Sequence, residues 1–264
     1  MEKTLFENQF VKIGNFKLSP SHPRFTKKGF VERPLIVFPG NSIWIQHKNK
    51  QAFVADSSII NLYNQNQEYH RFAIDKNGDD CIWVEAKEPL WDELSQSTHK
   101  PRFKAENIKC TKQTFLTFQE ILKNIRYQQE NDITESSFEL FHKISDCLYN
   151  AFESKNLNTR HRSLVEKIKY NLHNHLHDNY SLQEIAKDVF SSPYHLCRVF
   201  KQITGLGINQ YRNQIRLNKI YSILVKGTED LSDLAFQFGY SSHSHLSHNF
   251  KQHFGFSPST INSQ

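Results

Sequence analysis

Cysteine is scarce in this 264-residue chain: Cys81, Cys110, Cys147 and Cys197 are scattered and form no C-x-x-C pair. That spacing argues against a zinc ribbon, a dithiol redox centre or a disulfide framework, and reduced thiols in a cytoplasmic protein are the expectation. Thiol sensing through Cys81 or Cys110 is the alternative to their use as small apolar filler. No stretch approaches the ~18 apolar residues that a bilayer span needs, so no membrane partner is expected. The opening MEKTLFENQFVKIG has neither a basic n-region nor an apolar h-region, and no secretory signal is read there. Strong charge of one sign is also missing: 33 Lys+Arg stand against 27 Asp+Glu, a formal +6 that permits a nucleic-acid partner without requiring one. The excess leans toward His161–Gln264, with 11 Lys/Arg against 7 Asp/Glu and nine of the fourteen histidines.

What the chain does contain is a repeat. Ser191–Gly205, SSPYHLCRVFKQITG, returns fifty residues later as Ser241–Gly255, SSHSHLSHNFKQHFG. The two match at Ser191/Ser241, Ser192/Ser242, His195/His245, Leu196/Leu246, Phe200/Phe250, Lys201/Lys251, Gln202/Gln252 and Gly205/Gly255. A self-match at fixed offset indicates one supersecondary unit built twice. Apolar residues at helical spacing, a serine N-cap and a closing glycine predict an amphipathic helix in each copy. Upstream, Leu182–Ala186 is echoed by Leu231–Ala235, each a short helix with a small residue for close packing. Short helix, tight turn and longer helix is the helix-turn-helix plan, whose second helix enters the DNA major groove. Between the copies, Asn209–Lys226 lacks Gly and Pro and predicts one continuous helix. Its roughly 18 residues would span about 27 Å, near the ~34 Å between successive major-groove faces.

From about Arg160 to Ser259 the chain resembles the AraC/XylS family of bacterial transcription regulators. The stretches SPYHLCRVFKQITG, YRNQIRLNKIYSIL and LAFQFGYSSHSHLSHNFKQHFGFSPS carry the resemblance. It implies a two-domain α+β protein: an N-terminal cupin-like β-barrel with accessory helices, and an all-α C-terminal domain with two helix-turn-helix units on a long helix. It also implies an activator that contacts RNA polymerase, with the N-terminal part sensing a small-molecule effector or pairing two subunits as a homodimer.

The first half fits that expectation on its own residues. Leu35–Phe38, Ser42–Ile45, Ser58–Tyr63 and Cys81–Val84 are short apolar runs separated by turn signals such as Pro39-Gly40-Asn41 and Asn77-Gly78, the pattern of a β-sandwich or barrel. Helices are expected at about 113–130 (Phe115, Phe118, Ile121, Leu122, Ile125) and 135–154 (Phe138, Phe141, Ile144, Leu148, Phe152). Their apolar stripes suit either core packing or a subunit contact. The expected domains are 1–155 and 160–264, with a polar linker over Glu153–Arg160. If the first holds a pocket, Trp44, Phe53, Tyr63, Phe72 and Trp83 are the candidate lining, with ordinary core as the alternative. His22, His47 and His70 stand singly, without the H-x-H motif in which metal-binding cupins resemble one another, so neither catalysis nor a cofactor is expected.

For double-stranded DNA, the outward residues on the first predicted reading helix are Tyr194, His195, Cys197, Arg198 and Lys201, with Leu196, Val199 and Phe200 inward. Arg198 is the leading base contact, because a guanidinium fork matches guanine O6 and N7. On the second helix the outward set is His243, Ser244, Ser247, His248 and Lys251, with Ser244, Ser247 and His248 as candidate base contacts. Many members of the family resemble one another in having arginine where His248 stands, a departure that leaves base reading by the second unit open. Ser192, Lys201, Arg212, Ser242 and Lys251 are the candidate phosphate contacts, the serines through the helix starts they cap. His173 and His177 share a helix face at chelating spacing, but no third metal ligand lies nearby. Non-specific or architectural DNA binding is the alternative function, and a cupin-type metalloenzyme fused to a DNA-binding domain a more distant one.

Overall fold

In Ile43–His47 the buried Ile43, Ile45 and His47 alternate with half-buried Trp44 and Gln46, the two-residue period of a strand with one face inward. The structure, a computed structural model, describes residues 2–94, 102–150, 158–227 and 230–262. It divides into two units, Met1–Ser154 and Lys155–Gln264. The first contains β1 (Glu2–Glu7), β2 (Val11–Leu18), β3 (Gly29–Val31), β4 (Leu35–Pro39), β5 (Ile43–His47), β6 (Phe53–Ala55), β7 (Ile59–Tyr63), β8 (Gln67–Ala73), β9 (Asp79–Ala86), helix α1 (Glu88–Leu94), β10 (Asn107–Lys109), α2 (Lys112–Arg126) and α3 (Glu130–Asn150).

The strands form two antiparallel sheets, one in the order β1-β2-β9-β4-β7-β10 and the other β3-β8-β5-β6. β4 is central in the first sheet: Ile36 pairs with Leu62 on one side and Val84 on the other. Flanked on both sides, β4 and β7 are buried almost throughout and read as continuous apolar runs. The chain changes sheet at Pro39-Gly40-Asn41, where the Gly40 and Asn41 amides both donate to Asp80 O at 2.7 and 3.0 Å. It changes again at Asn77-Gly78, where Gly78 takes φ +67°, a left-handed turn that suits a residue without Cβ. Side chains of both sheets meet in shared clusters, Val31 with Val37, Tyr63 and Trp83, and Ile43, Ile45 and Phe53 with Leu18 and Ile59.

Helix α2 ends earlier than the sequence suggests, because Tyr127 caps it and Gln128 turns left-handed at φ 57°; α3 then starts at Glu130. Their stripes pack inside the unit. Phe118 stacks on Phe38 of β4, Phe138 meets Phe10, and Phe141 meets Trp91 of α1 edge-on. Phe115, Ile121 and Ile144 are buried as well. The side chains of Cys147, Leu148 and Phe152, and the expected linker over 153–157, lie outside the described residues.

The second unit is helical: α4 (Thr159–Asn174), α5 (Leu182–Asp188), α6 (Pro193–Thr204), α7 (Ile208–Leu224), α8 (Leu231–Gln237), α9 (His243–Phe254) and α10 (Ser259–Asn262). The two-domain α+β class expected from sequence is the class observed. No helix among the described residues is long and apolar enough to cross a membrane.

Candidate nucleic-acid interface

The two repeats fold alike because their punctuation is alike. Ser192 and Ser242 cap α6 and α9, each accepting from the amide three residues on, His195 N at 3.2 Å and His245 N at 3.1 Å. Such a cap satisfies one orphan N–H of the first turn. Pro193 fits the first turn of α6, where its missing N–H costs nothing. Both helices close on left-handed glycines, Gly205 at φ 75° and Gly255 at φ 93°. The inner faces are Leu196, Val199 and Phe200 in α6 and Leu246, Phe250 and Phe254 in α9, all buried. At about 1.5–3 kcal/mol for each fully buried large apolar side chain, these faces fix which residues are left outside.

Before each reading helix the chain makes the same turn. Ser191 N donates to Ala186 O at 2.9 Å, and Tyr240 N donates to Ala235 O at 2.8 Å. The second copy then has one residue more before its cap, which is why the upstream and downstream halves of the repeat differ in offset by one. The added residue is accommodated by extended backbone, with Ser242 at φ −166° where Ser192 has −81°.

On α6, Tyr194 (80% exposed), Arg198 and Lys201 are in solvent as expected. His195 is half-buried; its ring lies 5.7 Å from that of His161, and its Nδ1 is 3.5 Å from Arg198 Nη2. Cys197 is half-buried and packs against the cluster of Leu196, Val199 and Phe200, at the flank of the core. On α9, His243, Ser244, His248 and Lys251 are exposed and Ser247 is half-buried. His245 is exposed at its helix start, hydrogen-bonded to Ser241 Oγ at 3.0 Å and edge-on to Tyr240.

Arg212 is half-buried on α7 and its Nη2 donates to Tyr180 O at 2.5 Å, so the guanidinium ties α7 to the start of the first repeat. The sequence reading missed its neighbours altogether. Arg216 is buried and donates to Leu176 O at 2.7 Å through Nε and to Asp178 O at 2.6 Å through Nη2. Burial lowers the pKa of both arginines. Asn213 accepts from Tyr240 Oη at 2.7 Å and donates to Asn249 Oδ1 at 3.3 Å, reaching the second repeat. His177 completes the frame, its Nδ1 lying 2.9 Å from Gln237 O at the end of α8. Nothing in the sequence of α7 singles these residues out, because polar side chains are spread along the whole helix. Through them α7 pins both reading units.

The first unit holds a cavity of about 470 Å³ whose lining comes from both sheets. Tyr63 and Trp83 line it, whereas Trp44, Phe53 and Phe72 do not, which corrects three of the five expected pocket aromatics. Trp44 and Phe72 are cross-strand partners, Phe72 being 49% exposed; neighbouring residues on a strand face opposite ways, so the inward positions go to Ile43, Ile45 and Arg71. Phe53 is buried with Phe25 and Ala55. Arg71, 5% exposed, is packed against the rings of Phe16 and Tyr69 and donates through Nη2 to Tyr69 Oη at 2.6 Å. Asp79 Oδ2 is 3.5 Å from Arg71 Nη1. Burial pushes the Asp79 carboxyl up to about 6, against the pull of Arg71. Burial likewise raises the Tyr63 hydroxyl and the Cys81 thiol well above their ordinary values, and takes Cys110 up to about 12. The thiolate is the reactive form of cysteine, and burial disfavours it at both Cys81 and Cys110. Among the described residues no cluster of three or more His, Cys, Asp or Glu has the geometry to hold a metal ion.

A family described as "Helix-turn-helix domain" matches residues 185–264. Among curated proteins, the chain is 34% identical over 113 residues to the HTH-type transcriptional activator RhaS of Enterobacter sp., covering 39% of this chain and 40% of that one. It is 27% identical over 106 residues to the regulatory protein PocR of Salmonella typhimurium, covering 40% and 35%. The chain thus spans between a third and a half of the length of these relatives. Among solved structures it is similar to ToxT of Vibrio cholerae at 16% identity and a TM-score of 0.41, over 96% of this chain and 95% of that one. An AraC-type DNA-binding domain protein of Chromobacterium violaceum is 24% identical with a TM-score of 0.38, over 40% and 96%. Two helices capped alike and pinned to a shared α7, together with the matching family, lead to one conclusion: residues 185–264 of this chain form a helix-turn-helix domain similar to that of HTH-type transcription regulators.

Proposed function

We propose that the chain is a sequence-specific transcription regulator that binds double-stranded DNA, with α6 and α9 reading adjacent major grooves. The observation that carries this is the frame around α7: polar faces with Tyr194, Arg198 and Lys201 on α6 and Ser244, His248 and Lys251 on α9 stay in solvent while both helices are pinned to one element. Its 17 residues span about 26 Å, a length suited to two reading helices about one turn of duplex apart. Arg198 is the base reader of the first unit. Lys201 and Lys251, with the amides at the Ser192 and Ser242 caps, hold phosphates and set the register.

The relatives named as transcriptional activators favour activation; contact with RNA polymerase is part of the proposed role. The N-terminal unit, whether its fold is cupin-like or another two-sheet form, senses an effector or pairs two copies, and the protein acts in the cytoplasm without catalysing a reaction. Selection of bound sequences from a random duplex pool by the full chain tests the reading. A bipartite site with half-site centres about 10–10.5 base pairs apart is expected. A pool that stays random under competition would instead assign non-specific, architectural binding.

A further inference from the structure

Three residues that line the cavity of the first unit carry four buried polar atoms without a hydrogen-bond partner: Arg71 Nε, Arg71 Nη1, Trp83 Nε1 and Asn61 Oδ1. Three of the four are donors, and two sit on one guanidinium. A buried donor left unpaired costs about 1–3 kcal/mol, more when charged, so this arrangement calls for an acceptor-rich guest. The 3.5 Å approach of Asp79 supplies charge to Arg71 without a hydrogen bond to Nη1.

The donors are held in place. The Phe16 and Tyr69 rings lie 4.6 and 5.0 Å from the Arg71 guanidinium carbon, and Tyr69 Oη takes the remaining nitrogen. Trp83 and Tyr69 each rest on a glycine. A Cβ at Gly14 would come within 2.2 Å of the Trp83 indole, and one at Gly29 within 2.4 Å of the Tyr69 ring. Only a residue without a side chain lets either ring lie across its strand there. Other basic groups of the lining are already engaged, Arg33 with Glu85 at 2.9 Å and Lys12 with Glu7 at 3.0 Å. The apolar remainder includes Val37, Ile43 and Tyr63.

We propose that this cavity binds a small organic acid, its carboxylate on Arg71 and the Trp83 indole N–H and its apolar or aromatic body along Phe16, Val37, Ile43 and Tyr63. A carboxylate supplies two oxygens to the fork of a guanidinium, the strong charge-assisted geometry, and about 470 Å³ is within the range of small-molecule sites. Asp79 opposes the guest's charge and sets a ceiling on affinity. The inference deepens the sensing role proposed above and rests on that reading only for its regulatory consequence.

Calorimetric titration of the full chain with benzoate, 3-phenylpropanoate and octanoate, each beside its own amide, tests it. At least one acid should bind about tenfold or more tightly than its amide, the worth of one charge-assisted pair. Trp83→Phe keeps the ring and removes the donor, and should weaken that acid several-fold while leaving its amide nearly unchanged. Asp79→Asn removes the competing carboxylate and should tighten it. Arg71→Gln should abolish the preference for acid over amide, and the first two variants carry the test should it fail to fold. Acids and amides binding alike, no acid binding, or an Asp79→Asn change that weakens the acid would overturn the proposal. DNA is absent from these titrations, so their outcome is separate from whether the chain reads an operator.

Discussion

Phe190 and Gly239 hold the same left-handed position in the two helix-turn-helix turns, at φ 52° and 71°. For glycine the conformation is free of Cβ strain; for phenylalanine it costs roughly 1–2 kcal/mol. Nothing in packing offsets that cost, since the Phe190 side chain is 96% exposed. Phe190→Gly should therefore stabilise the C-terminal unit, by about 1 kcal/mol once the added freedom of the unfolded chain is subtracted. Thermal denaturation followed by helical circular dichroism would show it, and a lowered midpoint would contradict it.

The converse substitution is not symmetrical. A Cβ at Gly239 would meet Arg216 Nη2 at 3.0 Å and both Asn179 Oδ1 and His177 O at 3.2 Å. Gly239→Ala adds backbone strain to this crowding against the buried arginine, and a loss of about 1–3 kcal/mol is expected in the same measurement.

Arg216 and Asn213 hold the two reading units at one spacing. Arg216→Leu leaves the Leu176 and Asp178 carbonyls short of a charged donor, at a cost of roughly 3 kcal/mol. Asn213→Ala is milder for stability, yet it frees Tyr240 and Asn249 from α7. In gel-shift titrations it should weaken binding to the bipartite site more than to an isolated half-site. Equal loss on both would argue that the spacing is set elsewhere.

Arg198→Ala and Lys201→Ala should separate reading from holding. The first should erase discrimination at one or two base pairs, about 1–3 kcal/mol at each. The second should weaken all sequences alike and reduce the salt slope by about one counterion. Identical profiles across a substituted operator series would contradict the assignment.

Asp79 gives a pH dependence with a definite sign. Its carboxyl, raised from the ordinary 3.8 to about 6 by burial, keeps its proton in the folded state over a range where the unfolded chain has lost it. Its contribution to stability is therefore greatest below the unfolded value, declines as pH rises from about 4 to 6, and levels off above. The advantage of Asp79→Asn over the parent should grow across that window. All three tryptophans, Trp44, Trp83 and Trp91, belong to the first unit, so denaturant unfolding followed by tryptophan fluorescence reports this unit alone. A difference independent of pH would contradict the raised pKa.

The reading helices were legible in the sequence because three signals coincide there: serine before, glycine after and an apolar stripe between. Strands β4, β5, β7 and β9 showed as apolar runs for the same kind of reason. The cavity was not legible in this way. Hydrophobicity singles out Phe72 on β8, while the sheet turns its neighbour Arg71 inward, and only cross-strand pairing reveals which of the two faces the core. Arg212 and Arg216 were hidden by the opposite habit, since a basic residue in a DNA-binding segment suggests phosphate. A helix packed on several sides instead spends such side chains on backbone carbonyls. Cys197, next to Leu196, sits at the margin of the buried stripe, where helical periodicity alone does not separate flank from surface.

Helix α7 gives its first half, Ile208, Tyr211 and Ile215, to the core beneath α6. Its later residue Tyr221 stacks on the ring of Phe250 and meets that of Phe254 at a tilt, both in α9. The duplicated modules therefore share a common wall, and severing the chain between them would leave a wet apolar flank on whichever piece kept it. Although the sequence reads as two copies in tandem, neither copy is a detachable part, and a protease that nicks the segment after α7 should release no folded half.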